Sequence, residues 1–195
     1  MNLDRASGMS GDTVPTVRQQ RNVPEAIRSL STMANPNYVD LFTATTPTAQ
    51  DRSPEQWARA GLESAAGAGG QFVWRVLLGL RLERRPSPDY VAGWKIADRD
   101  DRWIRLEAAS WFLTAHIVIQ VDDRQVSATT FIRYDRPVAA LVWPQLSIGH
   151  RKAMPRLLRH AVRSSYRTLQ PKHQRGTNNM GGGHGDGLAR VAAKE

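Results

Sequence analysis

The stretch that decides the fold is residues 110–135, which read SWFLTAHIVIQVDDRQVSATTFIRYD. Two runs of β-branched and aromatic residues flank the polar DDRQ, a pattern typical of a β-hairpin. With the turn centred on DDRQ, Val121 lies opposite Val126, and one face of the hairpin pairs apolar side chains along its length. His116 and Arg133 lie on the other face. The apolar face must therefore cover either a packed core or a cavity.

The residues before the hairpin predict a strand followed by two short helices. Residues 38–45 are rich in β-branched and aromatic side chains and predict a strand. A capping box that starts at Ser53 predicts a helix over residues 54–66. The glycines of GAGG (67–70) are expected to break this helix, and the apolar run at 71–82 predicts the second one.

The residues on either side of the hairpin complete a sheet and add a long helix. Strands are predicted over residues 91–98 and 102–108, joined to the hairpin by short antiparallel turns. From Arg136 onward the apolar spacing changes to three and four residues, which predicts a helix that Pro144 and Pro155 break or kink. The predicted fold class is α+β, with an antiparallel sheet wrapped on the C-terminal helix.

The length of 195 residues predicts one domain with two tails. Residues 1–36 are polar and are expected to form a disordered N-terminal extension, with a short helix near residues 24–30. Residues 37–168 form the predicted domain, and residues 169–195 a disordered, glycine-rich, basic tail. Met33 precedes the first predicted strand and is a second candidate for the start of translation.

The composition favours a cytoplasmic protein. The chain has no cysteine, which excludes disulfides, thiolate zinc sites and thiol nucleophiles. No apolar run reaches the roughly 20 residues that a transmembrane helix needs, and the N-terminus lacks a secretory signal. The net charge of +9 arises in the C-terminal third, so an electrostatic partner must contact that third.

Three stretches resemble a bacterial domain family of unknown function, whose actinobacterial members are the most similar. They are YVDLFTATT (38–46), GWKIADRDDRWIRLEAASWFLTAHIVIQVDD (93–123) and TFIRYDRPVAALVW (130–143), the last continued by HRKAMPRLLRHA (150–161). The order of elements resembles the helix-grip fold of the polyketide-cyclase, plant-pollen-allergen and lipid-transfer superfamily. The resemblance covers about residues 37–166. It implies that fold, and it implies functions that range from ligand carriage to cyclisation, with no catalytic motif to carry over.

The inward face of the predicted sheet mixes large side chains with alanines, and leftover volume beneath a single helix favours a ligand cavity. The alternative is that a bulky neighbour, Trp74 or Trp143, fills this volume. Apolar burial would supply the affinity, and hydrogen bonds from Thr130 and Tyr134 the orientation. The predicted ligand-binding residues are Trp94, Leu106, Leu113, Ala115, Ile117, Ala128, Thr130, Ile132, Tyr134 and Leu157.

A second hypothesis is an enzyme of the cyclase or isomerase type, in which Tyr134 or His116 moves a proton. The hairpin register places His116 on the polar face instead, where a surface or lightly packed histidine is the favoured interpretation. Arg105, Glu107 and Arg133 share that face, and a surface charge cluster is the favoured interpretation for them.

A third hypothesis concerns a basic stripe on the predicted C-terminal helix, whose residues recur at spacings of three and four. Its members are Lys152, Arg156, Arg159, Arg163 and Arg167. The stripe is either the solvated outer face of a core helix or a weak contact site for anionic lipid or nucleic acid. No motif for sequence-specific nucleic-acid recognition accompanies it.

The remaining motifs favour neither a metal nor a cofactor. His150 and His160 lie ten residues apart on the predicted helix, about 15 Å along its axis, so they do not share one ion. The chain contains no nucleophile-elbow serine, no P-loop and no dinucleotide fingerprint. The sequence therefore predicts no metal and no cofactor.

Overall fold

The computed structural model describes residues 15–65 and 67–169. The strands in this part of the chain are β1 (Val17–Gln20), β2 (Tyr38–Thr45), β3 (Tyr90–Val91), β4 (Trp94–Asp100), β5 (Trp103–Ala109), β6 (Leu113–Asp122) and β7 (Gln125–Tyr134). The helices are α1 (Glu25–Arg28), α2 (Pro54–Arg59), α3 (Gly67–Phe72) and α4 (Val138–Leu169). A 3₁₀ turn covers Ala49–Asp51, and π-helical turns follow α2 and α3 at Ala60–Ala65 and Val73–Leu77.

The seven strands form one antiparallel sheet in the order β1-β2-β7-β6-β5-β4-β3. α4 packs on one face of this sheet, together with α2 and the turn that follows it. The α+β class predicted from the sequence, with an antiparallel sheet and a long C-terminal helix, is confirmed.

The hairpin of β6 and β7 has the predicted register. Val121 pairs with Val126, Ala115 with Ile132, and the intervening pairs follow without a bulge. The inward side chains of both strands are buried in the main core. The period-2 alternation fixed this register, because a slip of one residue would expose the whole apolar set.

Residues 67–82 agree with the prediction only in part. Gly67 has φ of +50° and interrupts the helical conformation after Ala60–Ala65, as expected, but GAGG also supplies the first four residues of α3, and the helical segment ends at Leu77. The chain then leaves the helix through Gly79, which has φ of +59°, and is held by Arg81 N–H, which donates to Ala109 O at 2.9 Å. Leu78, Leu80 and Leu82 are buried in the main core.

Two further predictions about regular elements are corrected. The predicted strand 91–98 is divided by a two-residue turn at Ala92 and Gly93, both with positive φ, so β3 and β4 form a tight hairpin. The predicted break of α4 at Pro144 and Pro155 does not occur, because the helix continues through both residues, and the alternative of a kink stays a prediction. The carbonyls that these prolines leave without the usual intrahelical donor belong to Ala140 and Arg151, and both residues are exposed.

The folded unit begins earlier than the predicted boundary at residue 37. Val17–Gln20 forms the edge strand β1 on β2, and Glu25–Arg28 forms the short helix α1 within the predicted 24–30. Met33 then packs with Val118 and Phe131 on the face of the sheet opposite α4. The N-terminal segment thus covers apolar side chains that a two-layer arrangement would leave exposed.

The predictions of disorder for residues 1–14 and 170–195 lie outside the described residues. Within the described part of the chain, no helix is long and apolar enough to cross a bilayer.

Candidate functional site

A cavity of about 560 Å³ lies between the sheet and α4. Its floor is formed by β4, β6 and β7, and its walls by α3 with its following turn and by α4. The exposed residues around it lie at the start of α3 and along α4, among them Gly69 and Gly149, so it opens to solvent between these helices. The volume lies within the range of about 300–1,000 Å³ that is typical of small-molecule sites.

Six of the ten predicted ligand-binding residues line this cavity: Trp94, Ala115, Ile117, Thr130, Ile132 and Leu157. The other four do not. Leu106 and Leu113 are fully buried in the core, and Ala128 lines a separate void of about 20 Å³. Tyr134 lies half-buried at the end of β7, where burial raises the pKa of its phenol.

The walls contain residues that the sequence did not assign to the site. Trp74 packs edge-to-face on Trp94 with ring centroids 5.7 Å apart, and Trp143 contacts the ring of His150 at 5.6 Å. Trp74 and Trp143 line the cavity and do not fill it. On α4 the sequence feature that indicates these lining residues is a stripe at helical spacing that continues from Trp143 through His150 to Leu157.

Three buried polar atoms on the cavity residues lack a hydrogen-bond partner within the described part of the chain. They are Trp94 Nε1, Thr130 Oγ1 and Trp143 Nε1. A buried polar group left without a partner costs about 1–3 kcal/mol. Two of the three are obligate donors, and none of the three is exposed to the cavity volume, so a ligand with acceptor oxygens would satisfy them only after a side-chain shift.

A buried acid and a histidine form a pair beside the cavity. Asp40 is 4% exposed, and its carboxylate lies 3.2 Å from Nε2 of His150. His150 is one of the residues that line the cavity. Tyr38 donates its hydroxyl to the same carboxylate at 2.7 Å. Burial, followed by the nearby Asp40, raises the pKa of Tyr38 well above its usual range, so this phenol remains a donor.

The basic stripe divides at the mouth of the cavity. Lys152 and Arg156 are exposed and belong to the cavity lining. Arg159 is half-buried and Arg163 exposed, and neither lines the cavity, while the side chain of Arg167 lies outside the described residues. Contact of the whole stripe with anionic lipid or nucleic acid stays a prediction.

His116 lies on the predicted face but is buried, because the N-terminal segment covers it. Its Nδ1 is 3.0 Å from Ser31 Oγ, and its Nε2 is 3.6 Å from Glu107. Arg105 is also buried and donates to Leu30 O at 2.9 Å and to Glu107 at 2.8 Å. Arg105 and Glu107 of the predicted surface cluster therefore hold this segment, whereas Arg133 is partly exposed and pairs with Asp135 at 2.8 Å. The cluster lies on the face of the sheet away from the cavity, so His116 cannot move a proton there.

Acidification is expected to weaken these contacts of the N-terminal segment. Burial lowers the pKa of His116 below its ordinary value of 6.5; Glu107 opposes this shift, and Arg105 and Arg133 reinforce it. Below pH of about 6.5 the unfolded chain binds a proton that the folded chain resists, so the free energy of unfolding falls as pH falls. Urea denaturation across this range should show a smaller fall for His116→Gln. Equal falls in both proteins would contradict the assignment.

Among the described residues, no group of three or more His, Asp or Glu side chains is placed to hold a metal ion. Comparison of the chain with protein-family models, curated proteins and solved structures finds no match. The proposal for function therefore stands on the geometry of this cavity.

Proposed function

We propose that this protein binds a small, largely apolar molecule in the cavity between its sheet and α4. One observation carries the proposal: a volume of about 560 Å³ has mostly apolar walls, and three of the residues that line it carry buried polar atoms without partners. Native interiors rarely leave such space or such groups unsatisfied. The apolar walls supply affinity, and a small shift of Trp94, Trp143 or Thr130 on binding lets the buried polar atom orient an acceptor oxygen of the ligand.

Native mass spectrometry of the protein purified from its own host tests the proposal. The expected result is an adduct that survives gentle ionisation and dissociates when the protein is unfolded. A panel of fatty acids and polycyclic compounds should raise the melting temperature as well. A protein without an adduct and without a shift for any member of the panel would overturn the proposal.

Removing the hydroxyl of Thr130 is expected to change ligand preference without harming the fold. Thr130→Val removes an unpartnered buried group, so the free energy of unfolding should stay equal or rise by about 1 kcal/mol. Wild-type protein should bind 2-acetylnaphthalene more tightly than 2-ethylnaphthalene, since only the ketone accepts hydrogen bonds. In Thr130→Val this preference should fall by about threefold or more, measured by calorimetric titration.

Thr129 provides the matched control, because its hydroxyl is also buried and unpartnered but lies on the opposite face of β7. Thr129→Val should have a similar effect on stability and leave the preference for the ketone unchanged. If both variants changed the preference equally, the hydroxyl of Thr130 would not be a ligand contact.

The pair of Asp40 and His150 favours a second candidate, an isomerase or cyclase that transfers a proton within the cavity. In such a site the carboxylate orients the imidazole through Nε2–H, and the other ring nitrogen takes a proton α to a ligand carbonyl. His150 takes the role that the sequence analysis gave to His116 or Tyr134, since neither of those lines the cavity.

Deuterium exchange tests this second candidate. Wild-type protein incubated with cyclic enones in heavy water should incorporate deuterium α to the carbonyl, detected by NMR. His150→Gln should abolish the exchange while ligand binding by calorimetry is retained. Exchange at the wild-type rate in His150→Gln would exclude the role, and binding without exchange in wild-type protein would leave ligand carriage as the function.

A further inference from the structure

Two cations of the basic stripe lie at the mouth of an apolar cavity. Lys152 and Arg156 are one helical turn apart on α4, and both line the opening. Neither forms an ion pair with any described residue. Arg163, two turns further along the same helix, is equally exposed but does not line the cavity.

No acid opposes these two charges from within the cavity. Among the described residues that line it, none is Asp or Glu. The buried carboxylate beside the site, Asp40, is already bonded to Tyr38 and His150. A ligand therefore meets an apolar interior and a positively charged rim with no negative group to repel an anion.

We infer that the ligand is an amphipathic acid, with an apolar body inside the cavity and an anionic group at the rim between Lys152 and Arg156. This inference rests on the proposed function. A carboxylate at the rim keeps part of its hydration, whereas one carried to the floor would pay a large desolvation cost. The long side chains of lysine and arginine reach the anion while their heads stay in water.

Two ligands of equal chain length separate the contribution of the apolar chain to affinity from that of the anionic group. Dodecanoate and dodecan-1-ol, both used below the concentrations at which they aggregate, are titrated into the full-length protein by calorimetry. Dodecanoate is expected to bind more tightly by about tenfold in low salt, since each exposed ion pair strengthens binding by up to about fivefold. The advantage should shrink as salt is raised.

Charge removal at the rim should erase this advantage. Lys152→Gln and Arg156→Gln are each expected to weaken dodecanoate binding by about threefold, and the double variant by about tenfold. Dodecan-1-ol binding should not change. Arg163→Gln makes the same change of charge on the same helix away from the mouth and should leave both ligands unaffected. All three positions are exposed, so these variants should fold normally.

The remaining outcomes overturn the inference in distinguishable ways. Equal affinity for dodecanoate and dodecan-1-ol would exclude recognition of an anionic group at the rim but keep the cavity as a binding site. Failure of both ligands, together with an adduct-free protein, would remove the proposed function as well. If Arg163→Gln weakened dodecanoate binding as much as Arg156→Gln, the anion would lie on the helix surface and not at the mouth. The same would follow if these two substitutions weakened binding to phosphatidylglycerol vesicles equally.

Discussion

Ala115→Trp is expected to weaken dodecanoate binding by at least about tenfold while the protein remains folded. Ala115 lies on β6 opposite Ile132, is almost fully buried, and lines the cavity. An indole placed there occupies volume that is empty in the structure, so it competes with a ligand instead of displacing packed side chains. The melting temperature without ligand should stay the same or rise, because a filled cavity adds apolar contacts.

Ala128→Trp is the matched control for this prediction. Ala128 is as deeply buried as Ala115 and lies on the same face of the sheet, but it adjoins only the void of about 20 Å³. The same change there has no room, and overpacking should lower the free energy of unfolding by about 1–3 kcal/mol or more. Calorimetric titration and thermal melts of both variants give the comparison. Unchanged affinity in Ala115→Trp would show that the cavity is not where dodecanoate binds.

The sequence predicted the central hairpin of β6 and β7 and its register because local information determines them. Alternation in β6 and β7 assigns each side chain to a face, and the capping box at Ser53 sets the start of α2. Residues 78–82 were assigned to a helix because a leucine-rich run satisfies either period in a short window. Their irregular path depends on the hydrogen bond from Arg81 N–H to Ala109 O, a contact distant in sequence.

Only part of the cavity lining could be predicted from the sequence, again because the rest depends on contacts between residues distant in the chain. The direction in which each side chain faces could be read from the strands, so the five strand residues Trp94, Ala115, Ile117, Thr130 and Ile132 were predicted to face the space that the cavity occupies, but the positions of the helices on the sheet could not be predicted. The positions of the helices decide that Trp94 lines the cavity, while α2 packs on β5 and Leu106 of that strand is fully buried. The burial of His116 was missed because the segment that covers it begins about 85 residues earlier and carries only scattered apolar side chains.

Gly93→Ala is expected to lower the free energy of unfolding by about 2–4 kcal/mol. Gly93 adopts φ of +89°, a conformation that L side chains rarely adopt. A Cβ atom there would lie 2.6 Å from the backbone oxygen of Glu83 and 3.0 Å from Leu82 Cβ. The backbone cannot simply yield, because Glu83 N–H donates to Gly93 O at 2.9 Å and ties the two segments together.

The same substitution should reach the cavity, since the next residue is Trp94, which forms part of its lining and stacks edge-on against Trp74. A shifted turn moves this indole, so Gly93→Ala should also weaken dodecanoate binding under conditions where the variant is still folded. Ala92→Gly is the control: Ala92 already has φ of +52°, and glycine there removes a strained conformation. It should match or exceed wild-type stability in urea denaturation. If Gly93→Ala were as stable as Ala92→Gly, the turn would not have the tight approach to Glu83 from which both effects follow.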